Sequence, residues 1–495
     1  MEAIKLAISF LVSIFTIIGG IVLCLQTPVI GLQGLILFAM IAVIVLLVKY
    51  IITIINSLKT PILIRTDFNT LLSTQAFKGK FNKEYQKLDD LAKCTFTLLL
   101  LDQTKSGAWS NTYLYRRIIC REGIPFAKGS LTGTPLALFS ILSLIDNDDY
   151  DFIEYLTSDL AETLNKVIQP DGQYLRRYTV GTVGRVPEME PARHTSGGLL
   201  SAILIGDVTE LDKISLKYLL KVNSLQDSWD KGIVIRTLLS VLYSKHFSIY
   251  YKLKTYLFRN RLINRLIDES KFAKHQSLIW SHPYEYGKDI NNQWATIWAL
   301  YPLMSDKLLS KRKRNKIKLI LESLINSQIS ASENKDALLP SEIDGNNYKG
   351  KGEFVFSTVL IPTIFRSFDR EDYLQQSLTR ILNNSENIII RPSQPSNDDV
   401  KSIEGYFAWS AMCLTAASFG VTIDKTSTKL IMKLIKELKG IQFNLNEQKD
   451  ISTAISNCLL RYNIFPNEFI EPLKISIINL LKYRNKIDEE ELILN

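Results

Sequence analysis

Leu99-Leu100-Leu101-Asp102-Gln103-Thr104-Lys105-Ser106-Gly107-Ala108-Trp109 closes one apolar run and leads towards another. A glutamine followed by a glycine and a tryptophan at this spacing has a physical use. Gln can satisfy the orphan groups at a helix end, Gly lets the chain turn sharply, and a tryptophan ring covers the joint between packed helices. A shorter version stands at Gln169-Pro170-Asp171-Gly172-Gln173-Tyr174, with Tyr in place of Trp, and a trace at Gln226-Asp227-Ser228-Trp229. Recurring joints of this kind predict a chain assembled from helical hairpins.

The hydrophobic pattern agrees. Apolar helices rich in small residues are predicted over 132–145, 195–205, 232–243, 292–304, 354–365, 406–419 and 451–462. More charged helices are predicted between and beside them, over 151–168, 211–222, 311–328, 372–383 and 427–439. A helix that is apolar all round is buried, and one with a charged face lies at the surface. Alternation of the two kinds is the pattern of helical-hairpin arrays, which close as an (α/α) barrel or stay open as a solenoid. Strand-like alternation is confined to 174–186 and 387–391.

The Gln-x3-Gly-x-Trp unit at Gln103, Gly107 and Trp109 resembles the Gln-Trp repeat of the terpenoid cyclase and protein prenyltransferase α/α-toroid superfamily. The resemblance rests on one strict match, one near match and one trace, and it implies a toroid. Asp146-Asn147-Asp148-Asp149 resembles the Asp-x-Asp-Asp motif of the class II cyclases, whose middle aspartate protonates an alkene. Between two predicted helices, aspartates are also ordinary caps of the next N-terminus. The zinc site of the prenyltransferases needs Asp, Cys and His ligands. No cysteine stands near His194, His246, His275 or His282, so no metal or other cofactor is expected.

Ahead of the hairpins, Leu6 to Val48 contains no Asp, Glu, Lys, Arg or His and divides at Gln26-Thr27-Pro28 into two runs of twenty residues. About twenty apolar residues are what a helix needs to cross a bilayer core. Two such runs in succession predict a membrane hairpin, because an open backbone there would go unpaired. Lys5 flanks one side and Lys49, Lys59 and Arg65 the other, while the hairpin loop is uncharged. The positive-inside rule then places both termini in the cytoplasm, the expected location being a bacterial inner membrane. The expected domains are a transmembrane hairpin over 1–56, a connector over 57–68 and an all-α helical-hairpin domain over 69–495. The five cysteines form no C-x-x-C pair, so a disulfide framework is not suggested.

The 495 residues carry 59 basic and 50 acidic side chains, a net charge of +9. The excess is local, at 113–121, 252–274 and above all 307–318, where Lys311, Arg312, Lys313 and Arg314 are consecutive. For a domain tethered at a membrane, anionic lipid headgroups explain such a run physically as well as nucleic acid does, and a solvated helix face is the plainer reading; lipid headgroups are the expected partner and nucleic acid is not. The segments before the predicted buried helices are rich in carboxylates, over 186–195, 280–289, 342–353 and 398–404. If the array closes, they share one rim. Glu190, His194, His282 and Glu285 are then the candidate catalytic residues, in the manner of glycosidases that draw acid and base from separate loops. Two functions follow as expectations. One is a toroid enzyme acting on a lipid-linked or glycan substrate. The other, slightly favoured, is a non-catalytic sensor or scaffold with a protein partner or self-association. The latter layout is similar to bacterial antiviral defence effectors that join a short membrane hairpin to a cytoplasmic sensing domain.

Overall fold

In a computed structural model of the chain, the described residues are 34, 41, 82–104, 106–109, 133–145, 149–174, 191–222, 225, 228–268, 271–272, 278–279, 291–292, 297, 299–304, 306, 308–331, 338, 342–343, 355–368, 374–394, 405–441 and 448–493. The expected membrane hairpin (1–56) lies outside them, apart from the helical Gly34 and Ile41, and so does the connector (57–68). Among the described residues no helix is long and apolar enough to cross a membrane.

Inner and outer helices alternate along the chain. Helix α1 (Asn82–Leu101) leads to α2 (Thr134–Leu144), in which every residue is buried. Pro135 sits in the first turn of α2, where no backbone N–H is required. The hydroxyls of Ser140 and Ser143 return to the carbonyls of Leu136 and Phe139, so a helix without a polar face leaves neither of them unpaired. Helix α3 (Tyr150–Val167) is the opposite kind. It buries the stripe Phe152, Leu156, Leu160, Leu164 and Val167 and turns its charges outward.

The alternation continues through inner α4 (Pro191–Ile205) and outer α5 (Glu210–Leu219), which starts on a capping box between Thr209 and Asp212. Inner α6 (Ser228–Tyr243) is followed by outer α7 (Ile249–Asp268). The next inner piece, at 297–304, ends in a 3-10 turn over Tyr301–Leu303 and precedes outer α8 (Lys311–Ala331). Then come inner α9 (Val355–Ser367), outer α10 (Leu374–Asn383), the short α11 (Ser385–Ile390) and inner α12 (Gly405–Ser418). Helices α13 (Lys425–Lys439), α14 (Gln448–Tyr462) and α15 (Asn467–Ile493) complete the chain.

The inner elements stand in a row, in the order Tyr301–Leu303, α6, α4, α2, α12, α9, each packed on the next. The carboxyl ends of α2 and α12 are held together. Ile423 N donates to Leu144 O at 2.7 Å, and Ile145 and Ile423 form a parallel bridge. Helix α1 packs on α12 and is covered by α15, which buries it on more than one face. Two antiparallel ladders of two residues each, Lys271–Phe272 with Leu278–Ile279 and Asn291–Asn292 with Glu342–Ile343, are the only strands among the described residues.

Three expectations are corrected. The run 387–391 is helical, in α11 and a 3-10 turn at Arg391–Ser393, because packing on α15 and α1 overrides its β-branched composition. The inner helix expected to start at 292 instead has Asn291–Asn292 paired as a strand. Helix α14, expected to be buried, exposes Asp450 and Leu460 and packs with one face on α13 and α15.

The turn at 103–109 joins α1, α2 and α3. Thr104 N donates to Ala108 O at 2.9 Å and Gly107 N to Thr104 O at 3.0 Å. Gly107 has φ +76°, and a Cβ there would lie 2.4 Å from Leu160 N of α3. Gln103 Nε2 donates to Gly107 O at 2.9 Å and to Leu156 O, in the middle of α3, at 3.0 Å. Trp109 is fully buried; its Nε1 donates to Leu99 O in the last turn of α1 at 2.7 Å, and its backbone N donates to Thr134 Oγ1 at 3.1 Å. The expected roles are therefore divided differently. The indole takes the helix-end carbonyl, and the glutamine ties the turn to the middle of a helix.

The second turn repeats the backbone bonds of the first. Gln169 N donates to Gln173 O and Gly172 N to Gln169 O, both at 2.8 Å. Gly172, at φ +81°, lies against Ser215 N of α5, and Tyr174 N donates to Thr195 Oγ1 near the start of α4 at 3.4 Å. This register sets Gly172 on Gly107 and Tyr174 on Trp109. It sets Gln169 on Thr104, so Ile168 stands where the first turn has Gln103. The joint recurs, but its glutamine does not.

Candidate functional site

Of the four candidate rim residues, Glu190, His282 and Glu285 lie outside the described residues, as do most of the carboxylate-rich segments. His194 is described. It sits in the first turn of α4 and is buried. Its neighbour Arg193 forms an ion pair through Nε with Asp230 Oδ1 at the start of α6, and both partners are almost completely buried. The carboxylate that faces Arg193 among the described residues is Asp230, which comes from another helix. A buried pair of this kind holds only with close geometry, and removing one partner costs about 3–5 kcal/mol. His194 is thus a buried residue of α4, one position along from this pair.

Deeper in the row, side chains from three inner elements meet. The guanidinium of Arg236 on α6 lies 4.2 Å from the ring centroid of Phe139 on α2. The Phe139 ring in turn meets the edge of Tyr301, centroids 6.4 Å apart. Helix α4 packs on both α2 and α6, and the outer helices α3 and α5 pack on α4. The Phe139–Arg236 contact therefore joins directly two inner helices that both pack on α4. Burial pushes the Tyr301 hydroxyl up to about 12, with Arg236 opposing the rise, so at neutral pH it is a neutral donor. Arg236 is the one charge in the stretch 232–243, and a lone arginine in an apolar helix was the sequence signal for this contact.

Among the described residues, Ser196 on α4, Ser357 on α9, Ser410 on α12 and Thr255 on outer α7 are buried hydroxyls without a hydrogen-bond partner. The three serines each stand in the first half of an inner helix. Of the Asp-x-Asp-Asp segment, Asp146 and Asp148 lie outside the described residues, whereas Asp149 is buried. Asp149 accepts from Phe152 N at 3.4 Å as the cap of α3 and from Thr428 Oγ1 of α13 at 2.6 Å. Cys94 and Cys413 are buried free thiols, and burial raises Cys413 to about 12. Among the described residues no group of three His, Cys, Asp or Glu is placed to hold a metal ion.

The basic run of α8 is split by its helix. Lys311 and Arg312 are exposed. Lys313 Nζ turns to Asn260 O and Oδ1 of α7, at 3.4 and 3.3 Å, and Arg314 Nη2 to Asp306 O at 3.4 Å. Asp306 also forms a fully buried ion pair with Arg259 of α7. The described part of the chain is thus an all-helical array of alternating inner and outer helices. No protein-family model, curated protein or solved structure matches it.

Proposed function

We propose that this protein is a non-catalytic scaffold or sensor, a toroid of helical hairpins held at the membrane by the two-span hairpin of residues 6–48. The observation that carries the reading is the meeting of Phe139, Arg236 and Tyr301 inside the row of inner helices. A small-molecule enzyme needs a chamber for its substrate, whereas here three inner elements spend large side chains on one another. The resemblance of the 103–109 joint to the Gln-Trp repeat supports closure, and so does the order of the inner elements. Closure requires one further join, between α9 and residues 297–304. The two apolar runs and their flanking lysines support anchorage with both termini in the cytoplasm.

The test sets the scaffold against the enzyme. The full chain in lipid nanodiscs is compared with the variant Glu190→Gln, His194→Gln, His282→Gln, Glu285→Gln, using polyprenyl diphosphates and lipid-linked oligosaccharides as substrates. The expected result is no turnover by either protein and the same assembly state for both on cross-linking. Release of diphosphate or sugar by the natural chain, lost in a variant that still melts cooperatively, would replace the scaffold with the enzyme.

A further inference from the structure

Helices α7 and α8 are neighbouring outer helices, joined through Lys313 and Asn260 and through Lys316 and Asp268, the latter at 3.5 Å. Two features coincide on their outward faces. First, of the seven large hydrophobic side chains that are exposed among the described residues, four are here: Ile249, Tyr250 and Leu257 on α7 and Leu319 on α8. Second, the exposed charges around them are basic with one exception: Lys254, Arg261 and Arg265 on α7 and Lys311, Arg312 and Lys316 on α8, beside the neutral Asn264 and Asn315. Helix α13 also exposes a basic row (Lys425, Lys429, Lys433 and Lys436) but no large hydrophobic side chain. The only described carboxylate on α7, and on α8 up to Leu321, is Asp268, which already faces Lys316.

Tyr250, Lys254, Leu257 and Arg261 succeed one another at spacings of four, three and four, a single stripe on the side of α7 turned away from α6. On α8, Arg312, Lys316 and Leu319 repeat the arrangement. Lys254 Nζ lies 4.3 Å from the centroid of the Tyr250 ring, which keeps a cation and an aromatic ring side by side at the surface. Apolar side chains that project from a field of cations match a membrane–water interface. The rings and aliphatic tips enter the boundary while lysine and arginine reach the headgroup phosphates. Each basic residue near an anionic surface adds to the headgroup attraction. A nucleic-acid site would use the same cations but has no use for exposed Ile249, Leu257 and Leu319.

We infer that the outer face of α7 and α8 is a docking surface for an anionic phospholipid bilayer. It seats the helical domain flat on the membrane to which the hairpin tethers it. This rests on the membrane-anchored reading above. Lys313 and Arg314 take no part, since they are engaged with Asn260 and Asp306.

The test uses the full chain with the photoreactive residue p-benzoylphenylalanine at position 257, and at exposed position 429 on α13 as control. Nanodiscs contain phosphatidylcholine alone or with phosphatidylserine. Position 257 is expected to cross-link to lipid in anionic discs only, with a yield that falls as salt rises. The variant R261Q/K311Q/R312Q/K316Q is expected to lower that yield by about tenfold or more. Equal lipid cross-linking at 257 and 429, or none at 257 in a chain that has integrated, would overturn the surface. So would preferential cross-linking of 257 to added RNA. Integration is read separately by flotation in alkaline carbonate. A chain that does not integrate but still cross-links at 257 when anionic discs are added loses the hairpin and keeps this surface.

Discussion

Gly107 and Gly172 occupy the same place in successive turns, and the reason is spatial as well as conformational. Each has a positive φ, and each lies where a Cβ would come within 2.5 Å of a backbone nitrogen on an outer helix. Gly107→Ala is expected to cost about 1–3 kcal/mol for the left-handed backbone alone, before α3 shifts to clear the contact. Trp109→Ala leaves a void where a fully buried ring stood and is expected to cost about 3–5 kcal/mol. Trp109→Phe keeps most of the ring but frees Leu99 O, for about 1–3 kcal/mol. Thermal melting of the three variants checks the order. An unchanged melting temperature for Trp109→Ala would deny the joint its structural role. Lys252 supplies a pH prediction. It is buried on α7, and desolvation lowers its ammonium from 10.5 to about 8. The unfolded chain therefore binds more protons between those values, so this group makes stability rise with pH from about 8 to about 10.5. Lys252→Met should remove that rise and stabilise the protein most at pH 7. Denaturant midpoints across pH 7 to 10 decide the matter; parallel curves would deny Lys252 the effect. The sequence marked Gly107 and Trp109 by their spacing. Lys252 was invisible, since a lysine in a basic stretch looks like any solvated one.

At the scale of elements, caps do much of what the sequence reading divided between capping and chemistry. Asp149 closes the N-terminus of α3 and accepts a second bond from α13. Asp149→Ala should lower stability by about 1–2 kcal/mol, as the loss of an N-cap does. Asp149→Asn keeps an acceptor and is expected to cost less, and a melt of both variants distinguishes them. The inner helices were legible because an apolar-all-round segment has nowhere to go but inward, and most of the predicted boundaries fall within a few residues of α2, α4, α6, α9 and α12. Helices α11 and α14 were misjudged for one reason. Ile388 to Ile390 and Ile451 to Tyr462 have compositions that suit two settings, and the choice is made by neighbours distant in sequence.

At the scale of the whole molecule, the C-terminal helices are a wall of the structure and not an appendage. Phe469, Leu473, Ile477 and Leu481 of α15 are buried, in a helix that packs on α1, α11 and α14. Ser476 Oγ donates to Ile389 O at 2.7 Å and accepts from Ser393 Oγ at 3.1 Å. Each such apolar side chain is worth about 1.5–3 kcal/mol, so the set is comparable with the roughly 5–15 kcal/mol that holds a domain together. Truncation after Tyr462 is therefore expected to give a chain that does not fold, read by the loss of cooperative melting and by aggregation. A truncated chain that melts at the natural temperature would show α15 to be dispensable.

The alternation of apolar and charged runs, a property of local composition, determined by itself that the described part of the chain is built of helices, inner and outer in alternation. The spacing of Gln103, Gly107 and Trp109 marked where two of them join. Local pattern carries such information because burial of a whole helix is decided within its own turns. Only the tertiary structure decided which carbonyl each joint satisfies, that Asp230 is the partner of Arg193, and that Lys311 and Arg312 stay at the surface while Lys313 and Arg314 turn inward. It also brought Phe139, Arg236 and Tyr301 together. These pairings close loops of many residues, and nothing in the immediate neighbourhood of either partner records the other. They are selected by the packing of the assembled helices, where a buried charge or ring must find whatever lies opposite it.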